Sequence, residues 1–277
     1  MHTPVLLKQT SEALEVKKDG LYIDATAGEG GHLKKILEVG GRVLGIDADQ
    51  EQLENLEIRF KNVENLKLVC ANFKDIENIA KKNGFFPVDG IVFDLGLSMR
   101  QIEKSGRGFS YNKPLEPLDM RLDQNQEIKA SDIINSLSVQ DLYEVFSKNS
   151  EELGSWAIAK AIFSARRLRR IERVGDLLRA LEKLGVSEGA KARIFQALRM
   201  EVNKEKGNLE GGLEGGLRIL KTGGKMGVLT FHSVEDRWVK RFISAHKKVL
   251  RESGLVKADR KGDSFERSSK LRIIVKN

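Results

Sequence analysis

The sequence predicts an α/β fold, a doubly wound, Rossmann-like sheet into which an all-helical domain is inserted. Three observations predict it. Short apolar runs alternate with segments of helical periodicity over the first hundred residues, as in an open parallel sheet. A glycine cluster follows the first run, and later runs end in an acidic residue. Periodic segments between residues 130 and 202 are all helical. We therefore expect a sheet domain over residues 1–103 and 207–277, with an inserted helical domain over residues 104–206.

The first strand and the glycine loop after it form the segment around which the fold is organised. Leu21–Asp24 is an apolar run, and Gly28, Gly30 and Gly31 follow it directly before an amphipathic helix. Strand, glycine turn and helix N-terminus together bring backbone N–H groups close to a nucleotide-like ligand. The spacing is not G-x-G-x-x-G, so the dinucleotide pattern is not matched. A tight turn that needs positive φ explains the glycines about as well.

The second strand, Arg42–Asp47, ends in an acid roughly 20 residues past the glycine loop. A carboxylate at this strand tip can accept hydrogen bonds from ribose hydroxyls. Asp47 could instead cap the amphipathic helix that contains Leu53 and Leu56. Loop and acid together favour an adenosine-containing ligand, but they do not choose between NAD and S-adenosylmethionine.

Two further strands complete the first half of the sheet. Leu66–Cys70 is followed by Phe73, which could stack on an adenine ring, although core packing is the simpler explanation for a phenylalanine. Asp75 could cap the next helix. Val88–Asp94 is the fourth strand and again ends in an acid. Because parallel strands place their carboxyl ends at one edge, four side chains should share that edge: Asp24, Asp47, Phe73 and Asp94.

After the fourth strand the pattern changes to a long polar and aromatic loop region over residues 95–121, and loops beside a crevice often carry function. Helices are expected over residues 130–136, 140–146, 156–170, 174–184 and 190–203. This insert concentrates positive charge, since residues 161–200 hold ten Lys and Arg but four Asp and Glu. An ordinary solvated face is the alternative, but the local bias favours phosphate contacts with nucleic acid, through Arg166, Arg167, Arg169, Arg170 and Arg173.

The sheet then resumes. A helix with a leucine stripe should end at Gly223 and Gly224, before a fifth strand over residues 225–231. The next helix should have Ser233 as its N-cap, with Asp236 at the third helical position. Residues 270–275 predict a last strand, antiparallel and at or near an edge. A late Gly-Gly turn, helix and strand are typical of class I methyltransferases.

Composition narrows the classes of protein. The chain has 277 residues, a net charge of +8 and one cysteine, Cys70, which excludes an internal disulfide and a Cys-rich zinc site. Its four histidines lack metal-ligand spacing, so we expect no metal. We find no apolar run of transmembrane length and no signal-peptide pattern, and therefore expect a cytoplasmic protein without membrane contact. The positive charge favours a polyanionic partner.

Seven motifs carry a specific resemblance, nearly from end to end of the chain. They are DATAGEGGH (residues 24–32), FDLGLS (93–98), RGFS (107–110), PLDMR (117–121), FQALR (195–199), FHSVEDR (231–237) and RSSKLR (267–272). In this order they resemble the bacterial family of 16S ribosomal RNA cytosine-N4 methyltransferases, called RsmH or MraW. The chain departs from the family pattern at Met99 and Arg100, where members commonly have Ser-Pro, and ahead of Phe195.

The resemblance implies a class I methyltransferase sheet, S-adenosylmethionine as cofactor, and a cytosine in the decoding region of 16S rRNA as target. The partner would be 16S rRNA or the small ribosomal subunit, and the sequence leaves a homodimer open. The inserted domain would recognise the substrate. Family cofactor contacts fall on Gly30, Gly31, His32, Asp47, Phe73, Asp94 and Gln101, of which His32 and Gln101 come from the resemblance alone.

The reaction suggests further candidates. A cytosine amine is a poor nucleophile, and a nearby acceptor would localise its lone pair and take up the developing charge. Asp94 and Asp119 are hypotheses for that catalytic role. Hypothetical substrate-binding residues are Phe109 and Tyr111, which could stack on a flipped base, with Arg121, Arg166, Arg167, Arg169 and Arg170. An RNA-binding assembly factor without turnover, a nicotinamide-dependent oxidoreductase and, less favoured, a small-molecule methyltransferase are the alternatives.

Overall fold

The computed structural model describes residues 5–258 and 268–277. The chain divides into two compact units, one formed by Met1–Leu97 with Lys206–Asn277, and the other by Ser98–Glu205. We call them the sheet unit and the helical unit. Their boundaries lie a few residues from those expected for the two domains. Arg267, the first residue of the last motif, lies outside the described residues.

The elements follow one another in the order that the sequence predicts for a sheet with a helical insertion. The first part of the sheet unit contains α1 (Leu7–Ala13), β1 (Leu21–Asp24), α2 (Gly31–Glu38), β2 (Arg42–Asp47), α3 (Gln50–Arg59), β3 (Leu66–Cys70), a 3-10 turn (Phe73–Asp75), α4 (Ile76–Lys82) and β4 (Val88–Asp94). The helical unit contains α5 (Met99–Lys104), α6 (Ala130–Ser136), α7 (Val139–Ser150), α8 (Ser155–Leu168), α9 (Val174–Glu182) and α10 (Glu188–Val202). The last part contains α11 (Glu205–Ile219), β5 (Leu220–Thr230), α12 (Ser233–Ala245), β6 (Leu250–Lys257) and β7 (Lys270–Lys276).

The sheet has seven strands in the order β3-β2-β1-β4-β5-β7-β6. The first five in this order run parallel, and β7 pairs antiparallel with both β5 and β6. Apolar cores lie on both sides of it. Leu33 and Leu53 bring α2 and α3 onto one face, whereas Leu213 and Val239 bring α11 and α12 onto the other. The predicted doubly wound α/β fold is therefore confirmed.

Strands β1 to β4 have the predicted bounds, but the end of the sheet differs from the prediction. The strand β5 begins at Leu220, so Gly223 and Gly224 lie inside a strand rather than in a turn before it. Its register with β4 shifts between Val88 and Gly90, and Gly223 has a φ of 77°. The strand β7 is antiparallel and lies next to the edge, as predicted, whereas the edge strand itself, β6, is not predicted from the sequence.

Two predicted helix caps are also wrong. The N-cap of α3 is Asp49, whose side chain accepts the Glu51 N–H, and not Asp47. The N-cap of α12 is His232, whose Nδ1 accepts the Glu235 N–H, and not Ser233. The third helical position of α12 is therefore Glu235 rather than Asp236. Asp75 is the N-cap residue of α4, as expected, but its side chain makes no capping hydrogen bond. For α3 and α12 the N-cap is a residue other than the one chosen from propensity.

The helical unit packs around buried aliphatic and aromatic side chains of its own, among them Leu142, Phe146 and Ile162. The long loop before α6 is tied down by polar contacts. Arg107 Nη1 donates to the carbonyl oxygens of Arg121 and Leu122, at 2.9 and 3.1 Å. The Asn203 amide donates to the Met120 carbonyl and accepts the Leu122 N–H, both at 2.8 Å. The region predicted as loop also holds the short helix α5.

Candidate active site

The glycine loop between β1 and α2 is shaped by backbone conformations that favour glycine. Gly28 and Gly30 have φ angles of 49° and 79°. A Cβ on Gly30 would lie 2.6 Å from Leu56 Cδ2, so the loop passes close to α3 at this point. A Cβ on Gly28 would meet only the Thr26 carbonyl, at 3.7 Å, so the loop is open there. Gly31 is the first residue of α2, at the helix end where N–H groups lack intrahelical partners.

Asp47 fixes this loop from the end of β2. Its Oδ2 accepts the Gly28 N–H at 2.7 Å, and its Oδ1 accepts the Asp49 N–H at 2.9 Å. Burial raises the pKa of Asp47 to about 6, and the two N–H donors offset only part of that effect. Each carboxylate oxygen can accept more than one hydrogen bond, so Asp47 can still receive a ribose hydroxyl.

Asp24 holds the other side of the same loop. It is 1% exposed, and its two oxygens accept the N–H groups of Leu33 at 3.1 Å and Thr26 at 3.3 Å. Burial raises the pKa of Asp24 to about 6, while the neighbouring His32 lowers it in part. Asp24 thus connects the end of β1 to the first turn of α2.

His32 and Asp94 face each other across the sheet edge. His32 Nε2 lies 3.5 Å from Asp94 Oδ2, and the ring is 5% exposed. Among the described residues His32 Nε2 has no hydrogen-bond partner within bonding geometry. Burial lowers the pKa of His32, but Asp94 and Asp24 outweigh it, so the pKa is raised overall. The Asp94 N–H donates to Thr26 Oγ1 at 2.7 Å, which ties β4 to the glycine loop.

Phe73 is half-buried and is backed by glycines of α11. Its ring meets the Phe93 ring edge-to-face, with centroids 5.7 Å apart. A Cβ on Gly212 would lie 2.6 Å from the Phe73 ring, and one on Gly215 would lie 2.8 Å from Ile76. The helix α11 therefore lies close against the 3-10 turn, and Phe73 stays partly exposed.

These residues fit an adenosine-containing cation such as S-adenosylmethionine. The loop is open above Gly28, Asp47 offers acceptors, Phe73 offers a ring surface, and the buried His32 Nε2 is left for a polar partner. The structure thus brings six of the seven predicted cofactor residues to one edge of the sheet unit: Gly30, Gly31, His32, Asp47, Phe73 and Asp94. Among the described residues no group of His, Cys, Asp or Glu is arranged to hold a metal ion.

Gln101, the seventh predicted cofactor residue, lies in the helical unit. Its side-chain oxygen accepts the backbone N–H of Ser98 at 3.0 Å, and its backbone N–H donates to Ser98 Oγ at 3.1 Å. This capping box fixes the start of α5. The Gln101 side chain is 6% exposed.

The candidate Asp119 also lies in the helical unit, where Arg121 binds it with both ends of its guanidinium. Arg121 Nε donates to Asp119 Oδ1 at 2.7 Å, and Arg121 Nη2 donates to Oδ2 at 2.9 Å. Burial would raise the pKa of Asp119, but Arg121 outweighs it and the pKa lies below its usual value. A bidentate pair of this kind holds both side chains in one geometry.

The hypothetical substrate residues differ in how exposed they are. Phe109 is 8% exposed and lies beneath the Arg107 guanidinium, 5.5 Å from its ring centroid. Tyr111 is half-buried and meets Phe195 edge-to-face at 5.9 Å. Of the two, Tyr111 therefore has the ring face that a base could reach.

Of the arginines around the end of α8, some contact other groups of the protein and others are exposed to solvent. Arg166 Nη1 donates to the Ile134 carbonyl at 2.6 Å, and its guanidinium lies over the Phe163 ring. Arg170 pairs with Glu172 at 2.7 Å. Arg167 and Arg169 are exposed to solvent.

Sequence reasoning placed no role on His232 and Glu235, although the motif FHSVEDR contains them. His232 Nε2 lies 2.8 Å from Glu235 Oε1, and Glu235 Oε2 accepts the Phe231 N–H at 2.8 Å. They lie where β5 ends beside β4, because the Leu95 N–H donates to the Leu229 carbonyl. The feature of the sequence that could have indicated a role is a histidine at the N-cap position, directly after a strand that ends at the carboxyl edge.

The profile of the MraW methylase family matches residues 1–276. A ribosomal RNA small subunit methyltransferase H from Caldicellulosiruptor saccharolyticus is 40% identical over 254 residues, which are 88% of this chain and 82% of that protein. The protein of the same name from Symbiobacterium thermophilum is 39% identical over 251 residues, 87% of this chain and 78% of that protein.

Two solved structures share the fold. An rRNA methylase from Streptococcus thermophilus matches with a TM-score of 0.51 and 12% identity, covering 100% of this chain and 99% of the other. A protein from Streptococcus mutans, solved in complex with SAH, matches with a TM-score of 0.51 and 11% identity, covering 100% of both chains.

Proposed function

The chain belongs to the MraW methylase family, and on that basis we propose that it is an S-adenosylmethionine-dependent methyltransferase of small-subunit ribosomal RNA. The observation that carries the proposal is the family match over residues 1–276, together with relatives about 40% identical over most of their length. The target that we propose is the N4 amine of a cytosine in the decoding region of 16S rRNA. Free rRNA or the small subunit would be the partner, and the cytoplasm the location.

We assign the cofactor to the edge of the sheet unit. Bound there, S-adenosylmethionine supplies a methyl group already activated by a positively charged sulfur. Asp47 would accept hydrogen bonds from the ribose hydroxyls, and Phe73 would pack on the adenine. His32 and Asp94 would face the amino-acid portion, where Nε2 can donate and the carboxylate can balance positive charge. Gln101 stays a family-based assignment.

The protein's task in the transfer is alignment and charge stabilisation. The amine nitrogen would form a bond to the methyl carbon while the electron pair of the carbon–sulfur bond stayed on sulfur, and the proton leaving the amine would pass to a neighbouring carboxylate. A carboxylate that accepts a hydrogen bond from the amine localises its lone pair and stabilises the positive charge that develops. We propose Asp94 for this role, because its side chain lies at the edge where β4 ends and is 21% exposed. Asp119 is the second candidate.

The helical unit would supply contacts to RNA. Arg167 and Arg169 are exposed at the end of α8 and suit phosphate contacts, which position RNA without reading its sequence. Tyr111 suits stacking on a base taken out of its helix. Phe109, Arg121, Arg166 and Arg170 would act mainly by shaping and holding this surface, because each contacts other groups of the protein.

The experiment is mass spectrometry of nucleosides from 16S rRNA treated with the purified chain and S-adenosylmethionine. We expect N4-methylcytidine at one site, and none with the D94N variant. RNA binding without methyl incorporation by the unsubstituted chain would identify an assembly factor instead. A calorimetric titration in which a nicotinamide dinucleotide binds and S-adenosylmethionine does not would contradict the proposal altogether.

A further inference from the structure

The helix α12 of the sheet unit has an exposed face of one charge sign. Arg237, Lys240 and Arg241 recur at helical spacing on its solvent side, and Lys247 and Lys248 extend the series in the turn that follows. The opposite side carries Val239 and Phe242, which are buried in the core of the sheet unit. We call the five cations the α12 basic face. All five are exposed.

The acidic residues of α12 point away from this face. Within Ser233–Ala245 the acids are Glu235 and Asp236, which are 2% and 3% exposed. Asp236 pairs with Arg272 at 2.7 Å and with Lys270 at 2.9 Å on β7. Lys240 Nζ also lies 3.3 Å from Asp236 while its side chain is 57% exposed. The positive charge at the surface of α12 is therefore not balanced by exposed acids of the same helix.

Other surface helices of the sheet unit have a different charge pattern. In α2, Lys34 and Lys35 both lie within 4 Å of Glu38, which is itself exposed. In α4, Lys81 pairs with Glu77 at 2.7 Å. Alternating charges of this kind are typical of an ordinary solvated face. The α12 basic face thus differs from its neighbours and needs another explanation.

The position of α12 relates this face to the candidate active site. The helix begins directly after β5, at the carboxyl edge of the sheet. Phe231, two residues before α12 begins, packs closely on Gly96, because a Cβ added to Gly96 would lie 2.7 Å from its ring. Gly96 is two residues past Asp94. From Arg237 to the end of the helix at Ala245 the face extends about 12 Å, at 1.5 Å per helical residue, and Lys247 and Lys248 lie beyond that end. That length spans several phosphates of an RNA strand.

We propose that the α12 basic face binds the phosphate backbone of the substrate RNA, as a contact surface on the sheet unit separate from the arginine cluster of α8. The inference rests on the proposed function, because rRNA is the polyanion that such an enzyme must hold. Exposed cations on a helix whose own acids are buried are complementary to a phosphate chain. The face begins near the edge where Asp94 lies and runs towards the opposite edge, where Leu250 pairs with Lys276 beside the start of β5, so RNA held there would lie along α12.

The test is binding of a labelled 16S rRNA decoding-region transcript to the full chain at several KCl concentrations. The variant R241Q/K247Q/K248Q removes three cations and leaves Arg237 and Lys240 in place. A matched control, K34Q/K35Q/K81Q, removes the same charge from lysines that lie beside acids. Each lost phosphate contact reduces the slope of log affinity against log salt by about 0.7 to 0.9. We expect the slope of the variant to fall by about 2 to 3, with roughly tenfold weaker binding at low salt, and the control to change little.

Equal slopes and affinities for the variant and the control would overturn the inference, and so would an equal loss in both, which would indicate net charge alone. A variant that binds RNA normally but loses binding to an acidic protein would also overturn it. Methyl incorporation and calorimetric binding of S-adenosylmethionine are measured separately. Absence of methylation by the unsubstituted chain would count against the proposed function, whereas the salt slope tests the α12 basic face by itself.

Discussion

Two carboxylates at the carboxyl edge of the sheet and two in the helical unit have pKa shifts of opposite sign. At the edge of the sheet, Asp24 and Asp47 accept hydrogen bonds from backbone N–H groups, and burial raises the pKa of each to about 6. In the helical unit, Asp119 pairs with Arg121, and Asp176 accepts backbone N–H groups and contacts Arg179. Both have a pKa below the usual value, because these contacts outweigh the effect of burial.

The difference separates carboxylates that suit a ligand from those that hold the fold. A carboxyl group kept partly dry is unfavourable in its charged form unless a cation comes near it. Asp119 already has its cation. At the edge of the sheet, Asp24 and Asp47 have raised pKa values, and His32 and Asp94 lie beside them. A positively charged ligand would stabilise the ionised acids there.

The substitution D94N should reduce methyl transfer at least about a hundredfold, because it removes the charge next to the reacting amine. Single-turnover incorporation of labelled methyl measures the effect. The matched variant is D119N, which removes one charge from the helical unit. An activity loss in D119N as large as that in D94N, with the fold intact, would remove the distinction between the two candidates.

The substitution D47N should weaken binding of S-adenosylmethionine roughly ten- to a hundredfold, corresponding to about 1.5–3 kcal/mol for hydrogen bonds to a charged group. An asparagine amide would also face one of the N–H donors that Asp47 now accepts. Calorimetry measures the affinity. D49N is the control, since asparagine caps a helix as well as aspartate does. Equal affinities in both variants would exclude the proposed role of Asp47.

The substitution R121Q should lower the free energy of unfolding by about 1–3 kcal/mol, since it leaves the half-buried Asp119 without its bidentate partner. Denaturant unfolding measures it. R169Q, at an exposed position of the same unit, should change the free energy of unfolding by less than about 0.5 kcal/mol. A stable R121Q variant would indicate that Arg121 is available for RNA.

Binding of S-adenosylmethionine should strengthen as pH rises through about 6, roughly tenfold per pH unit for each proton released. The bound cation favours the ionised forms of Asp24 and Asp47, which are partly protonated below that pH in the free protein. Without ligand, the effect of rising pH on the stability of the protein has the opposite sign. Because the folded-state pKa values lie above the usual 3.8, the contribution of these groups to stability falls as pH rises from about 4 to about 6. Calorimetry in buffers of different ionisation enthalpy would show the proton release, and an affinity independent of pH would contradict it.

The double substitution R167Q/R169Q should weaken rRNA binding only severalfold and reduce the salt slope by about 1.4 to 1.8, as expected for two phosphate contacts. R166Q should cost stability instead, because Arg166 holds the Ile134 carbonyl. Filter binding and thermal unfolding distinguish the two variants. If R166Q changed only the salt slope, the division of the cluster into exposed and engaged members would be wrong.

The first half of the sheet could be predicted from sequence because local and global signals agree there. Each of β1 to β4 is a short run bounded by glycine, proline or polar residues, and the carboxyl edge follows from parallel topology alone. The placement of Asp24, Asp47, Phe73 and Asp94 at one edge needed no knowledge of side-chain contacts. His32 and Gln101 could not be found this way, because nothing local separates a ligand-facing residue from a buried polar one.

The second half could not be predicted as well, for identifiable reasons. The strand β6 contains Arg251, Glu252 and Ser253, which suit an exposed edge strand but lack an apolar pattern. In β5, Gly223 and Gly224 signal a turn, and they lie in the irregular part of the strand, between the pairs Val88–Leu220 and Gly90–Lys225 with β4. His232 caps α12 because Glu235, three residues later on the first turn, holds its ring, and single-residue cap preferences do not include this local side-chain contact.

The glycines of α11 have a consequence for inhibitor design. Each glycine costs a helix about 1 kcal/mol relative to alanine, so α11 is held in place by close packing rather than by its own propensity. Gly212 and Gly215 leave no room for a side chain against Phe73 and Ile76. A flat heteroaromatic compound stacked on Phe73 would press against a ring backed by main chain. A single substitution at either glycine, selected for resistance, would disturb the packing of α11 before it displaced the compound.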